Sequence, residues 1–144
     1  MKREEAAMTY IGQPALRVDA VAKVTGEAQF ASDFNLPNQA YMKILFAGRP
    51  HAVIKSIDVA RAEAFPGVLA VLTAKDVPVN EFGYYTYDQP VLCGPGSATA
   101  FADHVRFVGD KIALVIAESE AIAQKARSLI EVEFEDLPVV SDPE

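Results

Sequence analysis

The sequence predicts an α+β fold in which a mixed β-sheet carries packed helices. Three observations lead to this prediction: a strand-helix-strand unit near residues 53–72, a second such unit near residues 111–135, and the composition of an ordinary globular domain. Of the 144 residues, 51% are apolar and 23% are charged, which excludes a disordered or fibrous chain. A chain of this length forms one core without support from disulfides or metals.

The first unit follows an alternating strand predicted at residues 41–46. A second strand is predicted at residues 53–57, and Asp58 can cap a short helix after it. Pro66 ends this helix because proline cannot continue the hydrogen-bond ladder. A buried strand at residues 68–72 completes the unit. Its connection is long enough for a parallel or split pairing of the two strands.

The second unit begins with residues 111–117, which are apolar on both faces, as an internal strand would be. Ser119 can cap the helix that follows, and this helix has one apolar stripe. The stripe consists of Ile122, Ala123, Ala126, Leu129 and Ile130. Residues 131–135 alternate glutamate with apolar side chains, which predicts a strand with one face in water.

Three shorter segments complete the expected secondary structure. Strands are predicted near residues 28–30 and 104–107, where they would extend the mixed sheet. Thr73 and Asp76 form a capping box that opens one helical turn.

Charge and composition exclude several classes of partner. The net charge of −7 comes from 13 Lys plus Arg and 20 Asp plus Glu, so we expect no nucleic acid partner. The start has no apolar signal region and the longest apolar run covers residues 112–117, so we expect no membrane span. Cys93 is the only cysteine, so no intrachain disulfide can form and we expect a cytoplasmic location.

The search for catalytic chemistry gives negative results. His51 and His104 lack the neighbours of a zinc motif, and Cys93 has no visible base partner. Residues 94–96 (Gly-Pro-Gly) indicate a turn, because the proline removes an amide that a phosphate loop would use. The acidic residues within 131–136 are typical of a solvated strand face. We therefore predict no catalytic, cofactor-binding or metal site in this chain.

The loop at residues 82–88 contains Tyr84, Tyr85 and Tyr87. Tyrosines suit an interface because each combines a flat apolar ring with a hydroxyl group. They would equally suit the edge of the domain's own core, and the sequence leaves both alternatives open.

Four blocks of sequence follow the order and spacing of a known family. They are residues 11–47, 51–78, 105–126 and 130–143, and they include KVTGEAQFASDF, FPGVLAVLTAKDVP and RFVGDKIALVIAE. On these residues the sequence resembles the N-terminal α/β hammerhead domain of the molybdenum-binding (large) subunit of xanthine dehydrogenase and aldehyde oxidase family enzymes. The fold that this resemblance implies agrees with the α+β prediction.

The resemblance also implies a domain organisation. Residues 1–10 are expected to form a flexible tail, residues 11–136 the α/β hammerhead domain, and residues 137–144 the start of a linker toward molybdenum-binding domains that the chain lacks. The segment AGRPHA at residues 47–52 departs from the family's usual Ser-Pro-x-x-His-Ala, which leaves the subfamily open.

The function implied is that of a domain or subunit of a molybdenum hydroxylase, with a structural and assembly role. In the family, the pterin-binding loops and the active-site glutamate lie downstream of this domain. The complete enzyme would hold molybdopterin with molybdenum, and partner domains or subunits would hold iron-sulfur clusters and flavin. The isolated chain is expected to bind none of these and to be inactive. The alternative is a free-standing, non-catalytic ligand-binding or regulatory module with the same fold.

Five residues in the matching blocks have expected structural roles. Gly26 and Gly109 are expected to take positive φ in turns. Arg17, Asp19 and Lys23 are expected to form ion pairs that anchor the N-terminal segment. Together with the three tyrosines of the loop, these charged residues are candidates for an interface between domains or subunits.

Overall fold

A computed structural model describes Gly12 and residues 14–142. The chain divides into two compact units, Met1–Pro37 and Asn38–Glu144, and each is described by itself. The tail expected at residues 1–10 lies outside the described residues.

The first unit contains helix α1 (Ala20–Thr25), which ends at Gly26. Gly26 has a φ of 80°, so the expected positive φ is confirmed. A 3₁₀ turn follows at Ala31–Asp33. The strand expected near residues 28–30 is wrong, because the amide of Phe30 donates to the Asp33 carboxylate at 2.8 Å and caps this turn.

The second unit contains six strands and two helices among its described residues. They are β1 (Tyr41–Phe46), β2 (Ala52–Asp58), α2 (Ala60–Glu63), β3 (Val68–Thr73), β4 (His104–Val105), β5 (Lys111–Ala117), α3 (Glu120–Arg127) and β6 (Glu131–Asp136). The longest helix of the described residues, α3, has eight residues, and none is long and apolar enough to cross a membrane.

The strands form two antiparallel sheets of three strands, in the orders β1-β5-β3 and β4-β2-β6. The α+β class and the two strand-helix-strand units are confirmed. The expected single mixed sheet with parallel or split pairing is wrong, because the two strands of each unit lie in different sheets. β1 and β3 occupy both edges of β5, so β6 pairs with β2 instead.

The predicted caps are confirmed, with one shift in position. Ser119 caps α3 by accepting a hydrogen bond from the third helical amide at 3.3 Å. Asp58 accepts from the amide of Ala60 at 2.9 Å, although α2 begins one residue later than a simple cap would place it. The carboxylate of Asp76 accepts from the Thr73 amide at 2.8 Å and closes the capping box.

The core lies between α3 and one face of the first sheet. The buried side chains of this face include Ala113, Val115 and Ala117 of β5, and Ala123 and Ala126 face them from α3. Small alanine side chains on both elements allow the helix to approach the sheet closely. The predicted apolar stripe is confirmed as the core-facing side of the helix for Ile122, Ala123 and Ala126, whereas Leu129 and Ile130 contact the core beyond the end of the helix at Arg127.

The opposite face of the first sheet is also apolar. Residues directly opposite one another in antiparallel strands point to the same face. The rows on this face are Met42, Ile116 and Ala70, and Ile44, Leu114 and Leu72. Met42 is exposed and the other five are half-buried. We refer to these six residues as the open sheet face.

Candidate functional site

A buried asparagine closes the loop that carries the tyrosines. Asn80 is only 2% exposed. Its Nδ2 donates to the Leu92 carbonyl at 2.8 Å, and its Oδ1 accepts from the Leu92 amide at 2.9 Å. Nδ2 also donates to the Ser97 hydroxyl at 3.1 Å. The Asn80 side chain therefore bonds the Leu92 backbone as a neighbouring β-strand would, and it closes the base of the loop between residues 80 and 92.

Inside this loop the backbone forms a short hairpin. The Phe82 amide donates to the Gln89 carbonyl at 2.6 Å, and the Gln89 amide donates back to the Phe82 carbonyl at 3.1 Å. Gly83 permits the tight turn, since a Cβ added there would lie 1.7 Å from the Thr86 carbonyl oxygen. We refer to residues 82–89 as the tyrosine hairpin.

The three tyrosines project from the hairpin into solvent. Tyr84, Tyr85 and Tyr87 are 90%, 92% and 73% exposed. The rings of Tyr84 and Tyr85 meet edge to face, with centroids 4.7 Å apart. The alternative in which these tyrosines cover the domain's own core is wrong, because none of them is buried.

A pocket of about 430 Å³ lies at the base of the tyrosine hairpin. Its walls include the rings of Phe82 and Phe107, the cations Arg106 and Lys111, and the carboxylates of Asp88 and Asp110. The pocket therefore joins the hairpin to the turn that precedes β5.

That turn is held by the Asp110 side chain. Asp110 Oδ2 accepts from the amides of Arg106 and Phe107 at 2.6 and 3.3 Å. Gly109 does not have the positive φ expected from its sequence context. Glycine leaves room for a neighbouring ring there, because a Cβ would lie 2.5 Å from Cε2 of Phe107.

The charged residues of the first unit form the expected ion pairs. Asp19 accepts from Arg17 Nε at 2.5 Å and lies 2.7 Å from Lys23 Nζ. These bonds, first to Lys23 and then to Arg17, lower the pKa of the Asp19 carboxyl. The structure thus brings these three residues together, and it separately brings the three tyrosines together in the second unit.

The glutamates of β6 form the solvated row that the sequence predicts. Glu131 pairs with Arg61 at 2.8 Å, and Glu135 pairs with Lys55. Glu133 accepts from the Ser56 hydroxyl at 3.1 Å. Each carboxylate therefore has a partner on a neighbouring element and is exposed to solvent, as a structural surface row would be.

The cysteine and histidines do not form a reactive or metal-binding set. Cys93 is 1% exposed, and burial, with the nearby Asp110 charge, raises the pKa of its thiol to about 12. His51 Nδ1 lies 2.8 Å from the Pro138 carbonyl, and His104 Nδ1 lies 2.8 Å from the Asp103 carboxylate. The described part of the chain has no group of three His, Cys, Asp or Glu that could hold a metal ion.

Two features of the site were not found from the sequence. The role of Asn80 depends on its burial, and a single asparagine after Pro78 gives no signal of it. The pocket depends on Arg106 and Phe107 meeting the hairpin, which is distant from them in sequence. The Tyr-rich composition of the loop was the one signal that pointed to this region.

Comparisons with known proteins identify the family. Residues 25–138 match the family model described as the aldehyde oxidase and xanthine dehydrogenase a/b hammerhead domain. The chain belongs to this family. The predicted α/β hammerhead fold is thereby confirmed.

Two sequence relatives are informative. The chain is 46% identical over 136 residues to a probable xanthine dehydrogenase subunit of Bacillus subtilis (strain 168), covering 93% of this chain and 17% of the relative. It is 37% identical over 133 residues to the xanthine dehydrogenase molybdenum-binding subunit of Escherichia coli O157:H7, covering 90% of this chain and 18% of the relative. The chain thus spans less than a fifth of the length of these relatives.

Solved structures give the same result. The reconstituted CO dehydrogenase from Oligotropha carboxidovorans superimposes with a TM-score of 0.78 at 33% identity, over 92% of this chain and 16% of that one. The aldehyde oxidoreductase from Desulfovibrio gigas superimposes with a TM-score of 0.71 at 36% identity, over 85% of this chain and 14% of that one. The hammerhead domain resembles a domain of the large chains of molybdenum hydroxylases.

Proposed function

We propose that this hammerhead domain has a structural and assembly role in a molybdenum hydroxylase, and that the chemistry belongs to other domains. The observation that carries this proposal is the tyrosine hairpin, a loop closed by Asn80 that holds three exposed aromatic rings. A loop that is fixed in position and rich in exposed tyrosine has the properties of a protein interface.

The partners follow from the names of the relatives. One relative is a molybdenum-binding subunit, so the proposed partner of the hairpin is the molybdenum-binding part of the same enzyme. We further propose that iron-sulfur and flavin domains or subunits complete the assembly. Molybdopterin would supply the redox centre for hydroxylation of an aldehyde or aromatic heterocycle, with water as the oxygen source. No residue described in this chain is assigned to that step.

Two further surfaces support an assembly role. The open sheet face has six apolar side chains, of which Met42 is exposed and five are half-buried, and packing against another polypeptide would cover them further. We assign it to contact with the remainder of the large subunit. Arg17, Asp19 and Lys23 are proposed as a second, polar contact, because their ion pairs fix the orientation of exposed charged side chains.

The alternative of a free-standing regulatory module is not favoured by the comparisons, which match large subunits of molybdenum enzymes. We also propose a cytoplasmic location, because Cys93 is a free, buried thiol of the kind common in reducing compartments.

The test is purification of the polypeptide that carries this sequence from its native cells, with an affinity tag added at its own locus. Molybdenum is quantified by mass spectrometry of the metal, and the polypeptides are identified by peptide mass spectrometry. We expect about one molybdenum per tagged polypeptide, together with the sequence of a family molybdenum-binding region. A molybdenum-free product without that region would contradict the proposal.

A variant isolates the contribution of the hairpin. Replacing Tyr84, Tyr85 and Tyr87 together by serine should lower the molybdenum content at least severalfold while the hammerhead domain stays folded. The control variant, Gln124→Ser, changes an exposed side chain on helix α3, outside the proposed contact surfaces, and should keep the molybdenum content. Equal molybdenum in both variants would remove the hairpin from the interface.

A further inference from the structure

We propose that the outer edge of strand β6 binds an extended polypeptide segment in which basic and apolar residues alternate. The bound segment would become a further strand of the second sheet, beside β6 and opposite to β2. This inference rests on the proposed assembly role and adds a contact surface together with the chemistry of the segment that occupies it.

The backbone of β6 has one edge that bonds no other strand. On its inner side β6 pairs with β2, and the Leu137 amide donates to the His51 carbonyl at 3.0 Å, which fixes the alternation of the ladder. The Ile54 amide of β2 agrees with this alternation, because it donates away from β6, to the Asp103 carbonyl at 2.8 Å. The groups of β6 directed away from β2 are the amides and carbonyls of Val132, Phe134 and Asp136. Within the described residues, none of these amides and carbonyls has a hydrogen-bond partner.

The other strand edges of the two sheets are shorter or already bonded. On β1, Arg127 Nη1 donates to the outward carbonyl of Ile44 at 3.1 Å. On β3, the strand contains a bulge and the outward amide of Thr73 donates to the Asp76 carboxylate at 2.8 Å. β4 has only two residues. The outer edge of β6 is therefore the one in the described structure that offers a regular row of donors and acceptors to a new strand.

The two faces of β6 determine which side chains the added strand would carry. Val132 and Phe134 pack against the core, whereas Glu131, Glu133 and Glu135 are exposed on the opposite face. An added strand alternates in the same way, so its apolar residues would lie beside Val132 and Phe134. Its remaining residues would lie beside the glutamates, where opposite charges stabilise a pair of neighbouring strands. These residues are therefore expected to be Lys or Arg.

The existing partners of the glutamate row leave its outer side open. Lys55 and Ser56, which bond Glu135 and Glu133, both belong to β2 on the inner side. Glu133 accepts from a neutral hydroxyl and has no salt bridge within the described residues. In an antiparallel pairing, the residue of the added strand opposite Glu133 is in a non-hydrogen-bonded pair, where side chains approach most closely. A basic residue at that position would therefore meet a carboxylate that lacks a cation.

The same row argues against a second copy of this chain as the occupant. Antiparallel pairing of β6 with β6 of another copy would place glutamates beside glutamates on one face of the sheet. Like charges directly opposite one another destabilise a strand pair, and charged side chains commonly protect an edge from self-association. The occupant is therefore a different polypeptide segment of opposite charge, which we assign to another part of the enzyme assembly.

The experiment uses the isotope-labelled chain and the blocked peptide N-acetyl-Lys-Val-Lys-Val-Lys-amide, followed by amide NMR. We expect saturable shifts and slower hydrogen exchange at the amides of Val132, Phe134 and Asp136. N-methylation of both valines removes the donors that face β6 and should weaken binding at least tenfold. N-methylation of the central lysine, whose amide faces away from β6, is the matched control and should leave the affinity within about twofold.

The charge requirement is tested on both partners. The acidic peptide N-acetyl-Glu-Val-Glu-Val-Glu-amide should bind at least tenfold more weakly than the basic one. Glu133→Gln should weaken binding of the basic peptide at least twofold. The control Glu120→Gln removes an exposed carboxylate on α3, away from β6, and should leave the affinity unchanged.

Several results would overturn the proposal. Absence of saturable binding, saturable shifts centred outside β6, or equal binding of the two N-methylated peptides would exclude pairing at this edge. Equal binding of the basic and acidic peptides, or equal effects of Glu133→Gln and Glu120→Gln, would overturn the assignment of basic residues to the segment.

Hydrogen exchange in the native assembly separates this inference from the proposed function. In the molybdenum-containing product of the native purification, the amides of residues 132–136 should exchange at least tenfold more slowly than in the isolated chain. Equal rates in a product that contains molybdenum would overturn the edge pairing and leave the assembly role standing. A product without molybdenum would contradict the assembly role, and the peptide titration would still decide whether β6 accepts a strand.

Discussion

The side chain of Asn80 forms two hydrogen bonds with the backbone of Leu92, as a neighbouring β-strand would. The Asn80 amide nitrogen donates to the Leu92 carbonyl at 2.8 Å, and the Asn80 oxygen accepts from the Leu92 amide at 2.9 Å. Both residues are buried, so these groups have no access to water that could replace the bonds. This pair fixes the base of the loop from which the tyrosine hairpin projects.

Replacing Asn80 by alanine should open the loop and destabilise the domain. The change leaves the amide and carbonyl of Leu92 buried without partners, which costs about 1–3 kcal/mol for such groups. Urea unfolding should show the loss of stability, and amide hydrogen exchange should accelerate in residues 81–91. The comparison variant is Ser97→Ala, which removes one Asn80 bond and the bond from the Thr99 amide but keeps the Leu92 pair, and it should cost less. Equal effects of the two variants would contradict the role of the Leu92 pair.

Replacing Gly109 by alanine should destabilise the turn before β5 through contact with Phe107. The added Cβ would lie 2.5 Å from the ring, but Phe107 is 57% exposed and its ring can turn away, so we expect a cost of about 1 kcal/mol or less. The cost should shrink in the background Phe107→Ala, because the obstructing ring is then absent. A double-mutant cycle in urea measures this coupling.

Gly26→Ala provides the contrast for that cycle. Gly26 has a φ of 80° and no atom within 4 Å of an added Cβ, so its cost comes from backbone strain alone. The loss of stability caused by Gly26→Ala should be the same with and without the Phe107 ring. If the loss of stability caused by Gly109→Ala is also the same with and without the Phe107 ring, the backbone rather than Phe107 favours the glycine.

Cys93 should be unreactive in the folded protein. Burial raises the pKa of its thiol from 9.0 to about 12, so at pH 8 the thiolate fraction is about a thousandfold lower than that of an ordinary thiol. Alkylation with iodoacetamide should be slow in buffer and fast in urea. Equal rates in both conditions would contradict the burial of this side chain.

The raised pKa of Cys93 also sets the direction in which the stability of the domain changes with pH. The unfolded thiol ionises near pH 9, whereas the folded one stays protonated until about pH 12. The unfolded state then binds fewer protons, so the free energy of unfolding falls as pH rises from about 9 toward 12. This contribution is fully present below pH 9. The slope in that range should be smaller for Cys93→Ala, measured by urea unfolding at each pH.

Replacing the three tyrosines by serine should leave the stability of the domain nearly unchanged. Tyr84, Tyr85 and Tyr87 are exposed, and changes at exposed positions are usually within about 0.5 kcal/mol. Urea unfolding of the triple variant tests this, with Ile54→Ala as the core reference. Ile54 is buried, so its truncation should cost about 2–5 kcal/mol. A large loss in the tyrosine variant would show that the rings support the domain's own core.

Local patterns in the sequence predicted most of the secondary structure. Alternation in residues 131–135, the apolar run of β5 and the caps at Ser119 and Asp76 each depend on neighbours in the chain. The apolar period of α3 also identified the side that faces the core. These signals are short-ranged, because the geometry of a strand or helix repeats within a few residues.

Strand pairing could not be predicted in the same way. The sequence showed that β5 is internal, but not that β1 and β3 would take both of its edges in antiparallel pairs. Pairing depends on contacts between residues far apart in the chain, and the periodicity of one strand does not identify its neighbours. The same reason explains why β6 pairs with β2 rather than with the sheet that contains β5.

The α+β class, the family and the lack of a recognisable catalytic motif all follow from the order of the amino acids. The folded chain was needed to show that the tyrosines face solvent, that Asn80 closes their loop and that Arg106 and Phe82 line one pocket. Residue type sets what a side chain can bond to. Burial and distance, which arise when remote segments pack together, decide whether that bond forms.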